Sequence, residues 1–168
     1  MPSRIQHPVM IIPEAMQALQ ALGKATEPSG AAVKASALAE LRVGQINGCS
    51  VCVDMHARLL KMAGESDERI FAVAAWRDAP YYSAAERAAL ALAEAVTRLS
   101  DRPDPVPDDV WQAAAAQFDL KQLAALLLRI SLVNLWTRLN VATRQVAGEW
   151  MKSAEARKWV EEAAPGKA

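Results

Sequence analysis

Apolar residues recur every three or four positions along most of the chain, which is the spacing of one face of an α-helix. No segment alternates apolar and polar residues over the length of a strand. The pattern therefore predicts an all-α helical bundle of seven or eight helices. The longest apolar stripe consists of Leu123, Leu126, Leu127, Ile130, Val133, Trp136 and Leu139.

Capping signals divide this pattern into individual helices. Ser83 with Glu86, and Asp119 with Gln122, have the spacing of a capping box, in which two side chains bond the free backbone amides of a first turn. Gly64 is a helix stop, because glycine tolerates the left-handed backbone of a C-terminal cap. The predicted helices begin near residues 13, 31, 49, 66, 83, 107, 119 and 149.

One domain accounts for residues 1–168, since a chain of this length buries a single core. We expect residues 1–12 to form an extended arm that ends in apolar side chains. Residues 149–164 are expected to add a C-terminal helix. The proline-rich stretch 101–107 resembles a linker, but it is short enough to be an ordered turn.

Charge and hydropathy exclude several classes of partner. Lys and Arg number 19, as do Asp and Glu, so no basic surface for nucleic acid or for an anionic membrane is indicated. The most apolar run, 123–136, contains Arg129 and Asn134 and is too short to cross a bilayer. The N-terminus shows no signal peptide. We therefore expect a cytoplasmic protein, and a net charge near zero leaves little repulsion against self-association.

Both cysteines and one of the two histidines lie within eight residues, at Cys49, Cys52 and His56. On a helix, steps of about 100° place Cys52 about 60° and His56 about 20° from Cys49. Residues three apart lie roughly 5–6 Å from each other, a separation that a disulfide tolerates. The spacing predicts a redox-active dithiol with a base beside it.

The chemistry of thiols supports this interpretation. A thiol reacts as its thiolate, and a helix N-terminus or a nearby imidazole lowers its pKa. Cys49 stands at the predicted helix start, and His56 follows Cys52 by one turn. His56 is therefore able to take a proton from Cys52 and return it to a departing alkoxide. The other histidine, His7, has no such neighbours in the sequence and is interpreted as ordinary.

Two other uses of a C-x-x-C motif compete with the redox interpretation. A structural zinc ion needs four ligands, so His7 or a carboxylate would have to join Cys49, Cys52 and His56. A thioredoxin-like site requires a βαβ context, which the helical pattern excludes. A pair of inert core cysteines is the remaining alternative. We expect neither a metal nor a cofactor.

The carboxylate that would assist His56 is not fixed by the sequence. Glu40 lies nine residues before Cys49 on the preceding helix and is able to reach the same pocket, but a solvated surface Glu explains it equally well. Glu86 is explained as a helix cap. The polar residues of the long apolar helix indicate buried contacts, which we expect at a subunit interface rather than in catalysis. These residues are Arg129, Asn134, Arg138 and Asn140.

The stretch 41–56 closely resembles the signature of alkylhydroperoxidase D-like proteins in the carboxymuconolactone decarboxylase superfamily. It reads Leu-Arg-Val-Gly-Gln-Ile-Asn-Gly-Cys-Ser-Val-Cys-Val-Asp-Met-His. The resemblance continues through 76–83 and 86–90 and is weaker around 134–140. It covers roughly residues 30–145.

This resemblance implies an all-helical protein that forms trimers or hexamers. Peroxidase members of the family reduce organic hydroperoxides with the dithiol, and a thiol reductant or a lipoylated or thioredoxin-like protein then restores it. No haem, flavin or metal takes part. By this resemblance Cys52 is the peroxidatic residue and Cys49 resolves it, although the helix start favours Cys49 as the more acidic thiol.

One position departs from the family pattern. The best-known peroxidase members carry a catalytic Glu twelve residues before the first Cys, and that position is Ala37 here. Glu40 lies about 60° further round the same helix and is able to substitute, while Glu86 or water are the other possibilities. The competing functions are a lactone decarboxylase, whose family members generally lack the dithiol, and a non-enzymatic redox sensor or disulfide-exchange protein.

Overall fold

The computed structural model describes residues 2–30, 32–100 and 102–152. Within these ranges the chain forms eight α-helices and no β-strand, which confirms the predicted all-α fold. No helix in these ranges has the length and apolarity to cross a membrane. The helices are α1 (Pro8–Ile11), α2 (Pro13–Ala25), α3 (Ala32–Ile46), α4 (Ser50–Met62), α5 (Asp67–Ala72), α6 (Ala84–Thr97), α7 (Asp108–Ala115) and α8 (Leu120–Thr143). Two 3₁₀ turns span Val73–Ala75 and Glu149–Lys152.

Helix α3 lies at the centre of the bundle and packs against α4, α6 and α8. It is buried on several faces because small residues such as Ala35 and Ala39 let its neighbours approach closely. One side of α3 joins a cluster with α6, α7 and α8. The other side, through Leu38 and Leu41, joins a cluster with α4, α5 and the loop that precedes α6. The central position of α3 brings its polar residues into the interior.

The predicted helix caps are present. Ser83 with Glu86 and Asp119 with Gln122 each form both bonds of a capping box. Gly48, with φ +64°, closes the turn between α3 and α4 in a left-handed conformation that other residues seldom adopt. This turn folds α4 back onto α3, and the Cys49 amide donates to the carbonyl of Gly44 at 3.0 Å.

The N-terminal arm is not extended throughout, which corrects the prediction for residues 1–12. Its last residues form the short helix α1, because Pro8 has the φ of a first helical turn and the His7 side chain accepts a hydrogen bond from the Val9 amide. Further back, the Arg4 amide donates to the carbonyl of Thr143 at 2.9 Å. The arm therefore lies against the C-terminal end of α8.

Two helix ends also differ from the prediction. Helix α2 continues past Gly23 to Ala25, and the Thr26 hydroxyl there donates to the Leu22 carbonyl at 2.8 Å. Helix α8 ends at Thr143 rather than Gly148, because Arg144 takes the left-handed conformation. Of the predicted C-terminal helix 149–164, the first four residues form a 3₁₀ turn, and the part from residue 153 onward lies outside the described residues.

Candidate active site

Cys49 and Cys52 form a disulfide at the start of α4, with their Cα atoms 5.3 Å apart. Cys49 is the N-cap of the helix, and its sulfur accepts a hydrogen bond from the Cys52 amide at 3.2 Å. Both residues are 1% exposed. After reduction, the same amide and the helix N-terminus would stabilise a thiolate on Cys49.

Close packing between α3 and α4 holds the disulfide in the interior. A β-carbon built on Gly44 of α3 would lie only 3.1 Å from Cβ of Cys52. This contact is tighter than a side chain normally makes, so a larger residue requires Cys52 or its helix to shift. Gly44 is therefore needed for the close approach, rather than for an unusual backbone angle.

His56 and Glu40 meet beside this dithiol. Nδ1 of His56 lies 3.3 Å from Oε2 of Glu40, and the two residues are only 6% and 5% exposed. The contact favours the neutral tautomer with its proton on Nδ1, because this N–H group can then donate a hydrogen bond to the carboxylate. Nε2 is then left without a proton. His56 follows Cys52 by one turn of α4, so the two side chains lie on the same face of that helix.

The surroundings of His56 keep the imidazole neutral. Burial lowers the pKa of His56, and Arg129 lowers it further, while the charge of Glu40 acts in the opposite direction. A neutral imidazole is the form that accepts a proton from a thiol. The site thus combines a buried base with a carboxylate that orients it, as in many proton-transfer sites.

Glu40 is held by two further side chains. Its Oε1 atom accepts hydrogen bonds from Nε of Arg129 and, at 3.3 Å, from the hydroxyl of Ser36. A buried carboxylate needs such partners to remain charged. From the sequence we expected Arg129 in a buried polar contact, at a subunit interface rather than in catalysis. Within the folded chain its side chain contacts the carboxylate that binds His56.

The two other positions considered for this carboxylate, 37 and 86, make contacts elsewhere in the structure. Glu86 accepts a hydrogen bond from the Ser83 amide at 2.7 Å and one from Arg69 at 2.5 Å, so one oxygen caps the start of α6 and the other binds α5. Ala37 packs against the apolar cluster between α3, α4 and α5. Among Ala37, Glu40 and Glu86, Glu40 is the residue that contacts the imidazole.

Asn140 of α8 also reaches the dithiol. Its Nδ2 lies 3.5 Å from the sulfur of Cys52. Nearby, the Asn47 side chain donates to Oδ1 of Asn134 at 3.0 Å and to the Thr137 hydroxyl at 3.1 Å, which ties the α3–α4 turn to the same helix. From the sequence we expected Asn134 and Asn140 at a subunit interface. The missed signal was the polar stripe of Asn134, Thr137 and Asn140, which lie three residues apart on an otherwise apolar helix.

The described residues contain no group of three or more His, Cys, Asp or Glu side chains arranged to hold a metal ion. His7, one of the two kinds of fourth ligand considered for a zinc site, caps α1. The site brings together a disulfide, an imidazole, a carboxylate and a carboxamide. These groups suit proton transfer and sulfur chemistry.

Comparison with known proteins gives matches over most of the chain. The sequence model of the carboxymuconolactone decarboxylase family matches residues 13–95. The uncharacterized protein YdfG of Bacillus subtilis is 34% identical over 132 residues, which cover 79% of this chain and 88% of that protein. The uncharacterized protein YnjA of Escherichia coli is 37% identical over 105 residues, but that match spans only 56% of its length.

A solved structure shows the same fold. The crystal structure of ATU0492 from Agrobacterium tumefaciens superposes with a TM-score of 0.79 and 32% sequence identity, covering 87% of this chain and 98% of that one. ATU0492 is a protein of unknown function for which a role in antioxidant defence, as an AhpD protein, has been suggested. The family match at 13–95 includes Glu40, the dithiol and His56, but it ends before α8 with Arg129 and Asn140.

Proposed function

This chain belongs to the carboxymuconolactone decarboxylase family, and we propose that it is a thiol-dependent peroxidase that reduces organic hydroperoxides with Cys49 and Cys52. The observation that carries the proposal is the contact between His56 and Glu40 beside a disulfide-forming pair. A structural disulfide needs no buried base, and a metal site needs further ligands. A peroxidase needs both the dithiol and a proton carrier.

The reaction begins at Cys52. His56 accepts the thiol proton at Nε2, and the thiolate attacks the hydroperoxide. A sulfur–oxygen bond forms and the oxygen–oxygen bond breaks, so that Cys52 becomes a sulfenic acid and an alkoxide departs. The alkoxide takes the proton from His56 and leaves as an alcohol. Glu40 stabilises the transient imidazolium, because its carboxylate lies 3.3 Å from Nδ1.

Cys49 then resolves the sulfenic acid. Its thiolate displaces the hydroxyl group from Cys52, the hydroxyl leaves as water after taking a proton, and the disulfide forms. The Cα separation of 5.3 Å allows this bond without movement of the backbone. Two thiol groups of a reductant return the pair to the dithiol and are themselves oxidised to a disulfide.

The reductant is proposed to be a small dithiol or a lipoylated or thioredoxin-like protein. In this exchange the thiol of lower pKa leaves more readily. Cys49, whose sulfur accepts a hydrogen bond from the Cys52 amide, fits the leaving group. The reductant would accordingly attack Cys52.

A homo-oligomer, as a trimer or hexamer, is proposed as the functional form. Helix α2 buries none of its residues fully, and three apolar residues beside it are more than half exposed. A patch of this kind commonly marks a contact between subunits. The three residues are Met10, Ile11 and Ile12.

The test is consumption of cumene hydroperoxide in the presence of dithiothreitol. With dithiothreitol present the wild type should turn over and Cys52→Ser should be inactive. Cys49→Ser that has been reduced and then freed of dithiothreitol should consume about one equivalent and stop at the sulfenic acid, because no thiol is left to react with it. Turnover that survives both substitutions would overturn the mechanism. A single equivalent consumed by Cys52→Ser instead would reverse the roles of the two cysteines.

The same protein samples separate the competing functions. A carboxymuconolactone decarboxylase would convert a lactone at the same rate whether the cysteines are reduced or oxidised. A redox sensor or disulfide-exchange protein would consume negligible hydroperoxide while it forms a disulfide with a partner thiol. Either result would replace the peroxidase proposal.

A further inference from the structure

Arg129 connects three helices beside the proton-transfer site. It belongs to α8, its Nε donates to Oε1 of Glu40 on α3, and its Nη1 donates to the carbonyl of Gly23 on α2 at 3.4 Å. The other oxygen of Glu40 lies 3.3 Å from Nδ1 of His56 on α4. One carboxylate therefore joins a guanidinium to an imidazole, and we call Arg129, Glu40 and His56 the Glu40 cluster.

Little solvent reaches this cluster. The side chains of Glu40 and His56 are 7% and 8% exposed, and that of Arg129 is 25% exposed. The Ser36 hydroxyl also donates to Glu40, at 3.3 Å, but it carries no charge. Because charges in such surroundings are weakly screened, an ionised group needs a charged partner close to it.

Arg129 supplies the positive charge of the cluster. The other charged side chains on α4, and on the helices α3, α5 and α8 that pack against it, are exposed or bonded elsewhere. The exposed ones are Lys34, Glu68 and Lys121, and the bonded ones are Arg42 with Glu94, Asp54 with Arg58, Lys61 with Asp67, Arg69 with Glu65 and Glu86, and Arg138 with Asn134.

The charges of the cluster cancel only when Arg129 is counted. A guanidinium keeps its proton in proteins, so Arg129 is positive, the carboxylate of Glu40 is negative and a neutral His56 adds nothing. Without Arg129, Glu40 and a neutral His56 would form a buried pair with a net negative charge. Such a pair lowers its free energy by binding one proton, on the imidazole or on the carboxylate.

We propose that Arg129 is a positioning residue whose charge takes the place of this proton, so that Glu40 stays a carboxylate and His56 stays a neutral proton acceptor. The inference rests on the proposed function, to which it adds a residue outside the 13–95 family match. It is carried by the bond from Arg129 to Glu40 and by the contact of Glu40 with His56. The charge of Arg129 also acts to lower the pKa of His56, in the same direction as the larger effect of burial.

Both protonation states of His56 in the reaction depend on this charge. Before the reaction the imidazole must be unprotonated, so that it accepts the proton of Cys52. Once the imidazole has accepted it, the cluster carries a net positive charge, which makes the imidazolium a stronger acid and favours return of the proton to the alkoxide. Loss of Arg129 would leave the cluster with a bound proton before the reaction begins.

The competing explanation is that Arg129 only fastens α8 to α2 and α3. A purely structural role would change the stability of the protein and leave the number of protons on Glu40 and His56 as it is. Proton binding is therefore the decisive readout. It is measured by NMR titration of the oxidised protein, in which Cys49 and Cys52 form a disulfide and do not titrate.

Two signals follow the two sites of the cluster in this titration. The nitrogen shifts of the imidazole report protonation of His56, and the carboxyl carbon shift reports protonation of Glu40. The chain has a second histidine, His7. His7→Asn identifies its signal by removing it, and an asparagine still caps α1.

Arg129→Gln removes the charge and keeps an amide donor on the side chain. The cluster should then bind one proton about tenfold more tightly, which is a rise of about one pH unit in its apparent pKa. Arg129→Lys retains a positive charge and should give a smaller rise. Lys121→Gln removes an exposed positive charge from the same helix, so it is the matched control and should leave the titration unchanged.

An unchanged titration in Arg129→Gln would overturn the proposal. An equal rise in Arg129→Lys would also overturn it, because the effect would then not follow from charge. If Arg129→Gln does not fold, owing to its unpaired buried carboxylate, the same step is made in a Glu40→Gln background, where no charge is left at the cluster. There Arg129→Gln should again raise the pKa of His56, and no rise would overturn the proposal.

The titration requires no hydroperoxide, so it is independent of the peroxidase assay. A wild type without peroxidase activity would contradict the proposed function and leave this measurement interpretable. An active wild type, together with an unchanged titration in Arg129→Gln, would contradict only the role of Arg129.

Discussion

Oε2 of Glu40 lies 3.3 Å from Nδ1 of His56, although the two residues belong to different helices. The pair is buried, and Arg129 and Ser36 hold the other oxygen of the carboxylate. Glu40 is therefore the carboxylate that contacts the imidazole, while Ala37 packs against an apolar cluster.

Removing the charge of Glu40 should slow the peroxidase reaction. Glu40→Gln keeps the shape of the side chain but loses the carboxylate that stabilises the His56 imidazolium. We expect kcat for cumene hydroperoxide to fall by about tenfold or more. Glu86→Gln is the matched control, because Glu86 is another buried carboxylate and contacts Arg69 and Ser83 instead. Equal rates in both variants would remove Glu40 from the proton transfer.

The stability of the oxidised protein should fall as the solution becomes acidic. Burial lowers the pKa of His56, and the pKa of His7 is also lowered by burial. Below the unfolded-state value of about 6.5, the unfolded chain binds protons that the native state does not. The free energy of unfolding is then lost as the pH falls from 6.5 toward the lowered native pKa values, by at most about 1.4 kcal/mol per pH unit for each histidine.

Urea unfolding at pH 7.5 and pH 5.5 measures this loss. His56→Gln cannot titrate at this position, so its free energy of unfolding should depend less on pH than that of the wild type. A wild type that is equally stable at both values, or more stable at pH 5.5, would show that the native imidazoles are readily protonated.

Glu94 should be a major contributor to stability. Burial raises its pKa, but hydrogen bonds from Arg77, Trp76 and Arg42 outweigh this effect and hold the pKa at about 2. Glu94→Gln leaves these arginines without their shared carboxylate and should lower the free energy of unfolding by about 3 kcal/mol.

Denaturant unfolding near neutral pH measures the effect of Glu94→Gln. The exposed Glu68 is the control, and Glu68→Gln should change stability by less than about 0.5 kcal/mol. The wild-type contribution of Glu94 should be present above pH 4.5 and disappear as the pH falls toward 2, because the unfolded carboxyl binds its proton first. A stable Glu94→Gln variant would contradict this account.

Gly44→Ala should disturb the dithiol. The added methyl group would lie 3.1 Å from Cβ of Cys52, so α4 must shift, and we expect a loss of about 1–3 kcal/mol. Gly23→Ala is the matched control, since its methyl group would lie 3.8 Å from Leu132 within α2. That change should stabilise the protein by about 0.5 kcal/mol. Thermal unfolding of both variants gives the comparison, and equal melting temperatures would show that the interface of α3 and α4 is loosely packed.

Much of the fold followed from the sequence, because helices are stabilised by contacts between residues close together in the chain. The apolar spacing predicted the bundle, and the capping boxes at Ser83 and Asp119 predicted where two helices begin. Predicted ends were less accurate. The left-handed cap at Arg144 has no sequence signature as clear as that of a glycine.

The sequence alone also determined the dithiol with its imidazole, since Cys49, Cys52 and His56 share one face of one helix. Tertiary structure decided which other residues join the site, namely Glu40, Arg129 and Asn140. Arg129 is 89 positions from Glu40, and Asn140 is 88 positions from Cys52. Whether such residues meet depends on how α3, α4 and α8 cross, which no local spacing records. Packing therefore selected Glu40 as the partner of His56 and brought Asn140 to the sulfur of Cys52.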